Sequence, residues 1–97
     1  MGVKHAREYA DIITDLTAAL GHIEGCNLLL EMSDEEWGEL DGDERRECLE
    51  TLADDVFYGL GSDPVIRMDR GIFTYDKQTH TIRVSDGDKL IQVVRLI

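Results

Sequence analysis

No apolar run in this chain is longer than three or four residues, far short of the roughly 20 that a membrane-spanning helix needs. Positive charge is scarce: 10 Lys and Arg stand against 21 Asp and Glu, a net charge of −11. Lysine is scarce, at Lys4, Lys77 and Lys89 only. So acidic a chain repels nucleic acid phosphates and anionic lipid. Direct binding to either is therefore not expected, whereas a basic protein surface would be attracted. The two cysteines, Cys26 and Cys48, form neither a Cys-x-x-Cys pair nor a disulfide framework. The segment Met1 to Asp11 is mixed and polar, without the basic-then-apolar order of a signal peptide. Together these features lead to the expectation of a cytoplasmic protein with reduced thiols.

Catalytic signatures are missing too. There is no Gly-rich phosphate loop, no G-x-S-x-G elbow and no H-E-x-x-H pair. The three histidines, His5, His22 and His80, are scattered. His80, near Asp76 and Tyr75 at a hairpin end, comes nearest to a catalytic grouping, and that proximity is what any turn supplies. These absences argue against an enzyme, and no cofactor is expected.

What is present divides the chain in two. Residues 1–63 hold 17 acidic and 4 basic residues, a balance of −13, and residues 64–97 hold 4 acidic and 6 basic, a balance of +2. The hydrophobic period changes at the same place, from about 3.6 residues to about 2. The hydrophobic content of 42% is enough for a core, but neither half is large enough to bury one alone. The expectation is a single α+β domain over residues 1–97, with helices packed on one face of a C-terminal sheet.

Helices are expected over about 3–20, 33–40 and 43–60. In the first, Tyr9, Ile12, Ile13, Leu16, Ala19 and Leu20 make one apolar face, with Gly21 and Gly25 as stops. Leu28-Leu29-Leu30 reads either as buried helix or as apolar linker. Ser33 with Glu36 forms a capping box, and Met32 and Trp37 stand where a hydrophobic staple would lie. Trp37 is read mainly as an anchor for this short helix and secondarily as an interface residue. Gly42 interrupts the pattern. In the third helix Leu49, Leu52, Ala53, Val56, Phe57 and Leu60 line the buried face, with Gly59, Gly61 and Pro64 closing it.

A four-stranded antiparallel β-meander is expected over about 65–97. Arg70-Gly71, Asp76 to Thr79 and Asp86-Gly87 supply its turns. The last strand is apolar on both faces: Leu90, Val94 and Leu96 point one way and Ile91, Val93 and Ile97 the other. Such a strand wants cover on both sides, so a homo-oligomer through this strand is one expectation.

Two Asp-Gly-Asp triplets, 41–43 and 86–88, have oxygen donors on a glycine turn, but neither continues as a calcium loop. His22, Cys26 and Cys48 could supply three zinc ligands only if a helix ran through Gly25 and a second paired motif existed. No metal is therefore expected.

The acidic stretch is the main candidate. From Glu31 to Asp55 there are 12 acids against Arg45 and Arg46. Glu36, Glu39, Asp43, Glu44, Glu47, Glu50, Asp54 and Asp55 could line successive helical turns. Of these, Glu36, Glu39, Glu44, Glu47, Glu50 and Asp54 are the candidate partner-binding residues. The expected function is a non-enzymatic binding or regulatory module that meets a basic protein through this face. One alternative is an inhibitor that mimics nucleic acid, as a phage or mobile element would encode; another is a small enzyme. The plainest reading of the same acids is a solvated or salt-adapted face.

Overall fold

The computed structural model describes residue 3 and residues 5–97; the readings at Met1, Gly2 and Lys4 lie outside these. The elements in chain order are α1 (Tyr9–Gly21), α2 (Cys26–Leu29), α3 (Asp34–Glu39), α4 (Gly42–Leu60), β1 (Val65–Met68), β2 (Gly71–Asp76), β3 (Thr81–Asp86) and β4 (Lys89–Arg95). The strands pair as an antiparallel meander in the order β1-β2-β3-β4. This is the expected α+β arrangement.

α1 starts six residues later than expected. The backbone ahead of it is committed elsewhere: the Ala6 and Arg7 N–H groups both donate to the Leu96 carbonyl, at 2.7 and 3.0 Å. The Arg7 guanidinium donates to the Arg95 carbonyl at 3.0 Å and to Asp15 at 2.8 Å. The segment is thus tied to the end of β4 and is not free to coil. Beyond α1, Gly25 takes a left-handed φ of 70°, so no helix joins His22 to Cys26. Leu28 to Leu30 resolves into the short α2 and its end, with Leu29 buried and Leu28 exposed. Buried Asn27 links α2 to α3, its amide donating to the Met32 carbonyl at 3.0 Å and to Asp34 at 2.9 Å.

The Ser33–Glu36 capping box is present in full. A second box opens α4, which starts at Gly42 where the expected start was Asp43: Asp41 accepts from the Glu44 N–H at 2.8 Å and Glu44 accepts from the Asp41 N–H at 3.0 Å. Gly42 therefore begins the helix and does not break it. Gly59 lies inside α4, where β1 approaches closely: a Cβ there would come within 2.7 Å of Ile66 Cδ1.

One hydrophobic core joins the two halves. Ile12, Leu16 and Leu20 of α1 and Val56 and Leu60 of α4 pack with Phe73, Ile82, Val84, Val94 and Leu96. α1 lies against β3 and β4, and α4 against β1 and β2. All sheet residues in this core point to the helical side, which leaves the other face of the sheet bare among the described residues.

The turns differ in detail from expectation. Met68 pairs with Gly71, so the first turn is Asp69-Arg70, with Asp69 at φ 49°. Asp86 pairs with Lys89, so the last turn is Gly87-Asp88. Gly87, at φ 58°, is the first central residue, as a type II′ hairpin demands.

The faces of the last strand are also corrected. Val84 faces Gln92 but Ser85 faces Leu90, so Ile91 is an extra residue in a β-bulge. The bulge reverses alternation on its N-terminal side. Ile91 consequently packs toward the core with Val94 and Leu96. Leu90 is exposed with Val93 and Ile97 on the other face.

Candidate functional site

α4 presents its buried stripe to α1 and the sheet and most of its acids to solvent, with Glu50 and Asp54 half-buried. Asp43, Glu47, Glu50 and Asp54 are spaced i, i+4, i+7 and i+11, which aligns them along one face. The row covers about 17 Å at helical rise. Glu44 lies one residue round from it. Glu36 and Glu39 are on the separate helix α3.

The candidate acids do different work. Glu36 and Glu44 are spent on the two capping boxes. The Ser33 N–H holds the Glu36 carboxyl below its ordinary range. Glu50 accepts from Arg46 at 3.1 Å. Asp54 accepts from the Tyr9 hydroxyl. Asp43, Glu47 and Glu39 are exposed, and their carboxylates have no hydrogen-bond or ion-pair partner among the described residues.

One feature of this face was not anticipated from the sequence. Tyr58, one turn beyond Asp54, is 68% exposed. It belongs to an aromatic group with Tyr9 at 6.3 Å and Phe57 at 6.1 Å between ring centroids, and Tyr9 meets Phe57 edge-on at 5.1 Å. Burial, then the hydrogen bond to Asp54 and its charge, keeps the Tyr9 phenol protonated far above its usual range. Tyr9 therefore stays a fixed donor that locks the Asp54 carboxylate in place. The signal for Tyr58 was its spacing: four residues past Asp54, it falls on the acidic row and off the apolar stripe.

The other candidates separate. Among the described residues no three His, Cys, Asp or Glu side chains are grouped to hold a metal ion. Cys26 and Cys48 are unpaired. Burial pushes the Cys26 thiol up, opposed by smaller lowering effects that include the charge of Arg45. Asp76, beside His80 in the hairpin, is directed into its own turn. It accepts from the Gln78 and Thr79 N–H groups at 2.9 and 3.3 Å and from Arg83 at 2.9 Å. These bonds, the Thr79 N–H foremost, hold it below the usual carboxylate range. Trp37 is half-buried against the core. Its carbonyl accepts from Arg45 Nε at 3.0 Å, and the Arg45 guanidinium lies 5.4 Å from the ring centroid.

The bare sheet face carries two cross-strand rows, Val65–Thr74–Arg83–Val93 and Arg67–Ile72–Ser85–Leu90. No helix among the described residues is long and apolar enough to cross a membrane. No protein-family model, curated protein or solved structure matches this chain.

Proposed function

We propose that the protein is a non-enzymatic binding module that docks a basic partner protein on the solvent face of α4. The observation that carries this reading is the alignment of exposed Tyr58 with the carboxylate row of Asp43, Glu47, Glu50 and Asp54 on one helix. Carboxylates in a row attract Arg and Lys and pair with them. An exposed aromatic at the end of that row adds a ring face for a guanidinium. Unpaired Cys26 and Cys48 suit a reducing compartment, and the reading places the protein in the cytoplasm.

The test is affinity capture from a lysate of the source cell with the wild-type protein and with Glu47→Lys and Tyr58→Ala variants. Both positions are exposed and neither residue caps a helix, so both variants should keep the fold. The expected outcome is a basic protein retained by the wild type, released by salt and lost from both variants. Equal capture by all three proteins would contradict the reading.

A further inference from the structure

The most acidic part of the chain contains a cleft with no acid in it. This cleft, of ≈ 550 Å³, lies between the outer flank of α1, Trp37 of α3 and the first turns of α4. A volume of this size is ordinary for a small-molecule site. Its ionisable side chains are Arg45, Arg46, His22 and Cys26, without an Asp or Glu. Residues 1–63 hold 17 acids and 4 bases, and two of those four bases line a cleft to which no carboxylate contributes; Arg46 is paired with Glu50 at 3.1 Å, which leaves Arg45 as the cation there without an ion pair among the described residues. A second depression, beside α2, shows the contrast: its lining includes Glu31, Asp55 and Asp69.

The walls are apolar and small. Trp37 and Leu49 supply the apolar surface, and Ala18, Gly21 and Gly42 leave the space open. Arg45 is held at the wall by its Nε bond to the Trp37 carbonyl and by the ring beneath it. It forms no ion pair among the described residues. A guanidinium has five N–H donors, and Arg45 spends one, so its Nη groups remain to receive an anion.

We propose that this cleft binds a small amphiphilic carboxylate, with its apolar body against Trp37, Leu49 and Ala18 and its anionic head on Arg45. This site adjoins the acidic row of α4 through the Arg46–Glu50 pair, but it does not depend on the function proposed for that row.

Trp37 is the only tryptophan and reports directly on occupancy. The experiment titrates the full chain with three probes of matched chain length below their micelle-forming concentrations: decanoate, decanol and decyltrimethylammonium. The midpoint of the Trp37 fluorescence change is read for each. Decanoate should bind saturably and most tightly, against the net charge of −11, with decanol weaker and the cation weakest. Arg45→Gln should weaken decanoate about tenfold, toward the decanol value, as loss of one charge-assisted contact implies. Ala18→Phe, at an exposed helix position, should fill the cleft and abolish binding of all three. Tighter binding of the cation, or the absence of saturable decanoate binding, overturns the proposal from the wild-type protein alone. Unchanged decanoate affinity in Ala18→Phe, with the helical circular dichroism signal retained, overturns the location.

Discussion

Asp86 gathers hydrogen bonds from two distant parts of the chain. It accepts from the Glu24 N–H at 3.0 Å and from Arg70 Nε at 2.7 Å, and so joins the loop after α1 to the turns at one end of the sheet. The Glu24 N–H, then Arg70, holds its carboxyl below the ordinary range. A carboxyl depressed by folding contributes stability that is fully present above its unfolded pKa, near 3.9. That stability is lost as pH falls through the lower folded value. Thermal melts from neutral to acid pH should therefore show the wild-type midpoint dropping below about pH 4. Asp86→Asn should start lower at neutral pH and fall less steeply. Parallel curves for the two proteins would exclude this role. Asp86 looks like ordinary turn chemistry in the sequence, because its partners lie 62 and 16 positions away and no local pattern announces them.

Among the elements, what local chemistry determines was legible. Ser33 and Glu36 predict their capping box because both partners lie within one turn. Asp41 and Glu44 have the same spacing, and only the assumption that Gly42 must break a helix hid the second box. Asp41→Ala should cost about 1 kcal/mol, the usual worth of such a cap, measured by urea unfolding. What long-range contacts determine was not legible. α1 starts at Tyr9 because Leu96, at the far end of the chain, takes the preceding N–H groups. The bulge at Ile91 is likewise set by pairing with β3 and reverses the assignment of Leu90 and Ile91. Gly59 has the residue type of a helix stop, whereas it lies inside α4 and makes room for Ile66. Shortening that neighbour should release the constraint: in an Ile66→Val background, Gly59→Ala should stabilise by about 0.5 kcal/mol through helix propensity. Destabilisation in that background would show that more than the Ile66 methyl needs the space.

At the scale of the whole molecule, charge and layer coincide. The helical layer carries the acids, while the bare sheet face presents Arg67 and Arg83 among exposed Val65, Leu90 and Val93. The acidic stretch was evident in the sequence, yet its division of labour was not. Glu36 and Glu44 hold helix ends, Asp54 is locked by Tyr9, and Asp43 and Glu47 remain open to a partner. The cleft beside Trp37 is not legible in the sequence because its walls come from four separate segments, each ordinary alone. The proposed docking on α4 depends on charge at Glu47 and on the ring of Tyr58. The most direct measurement is calorimetric affinity for the captured partner from about 0.05 to about 0.5 M salt, where the screening length falls several-fold. The wild-type affinity should weaken steeply with salt, and Glu47→Lys should bind at least about tenfold more weakly at the low-salt end. An affinity unchanged by both salt and the Glu47→Lys substitution would contradict the account.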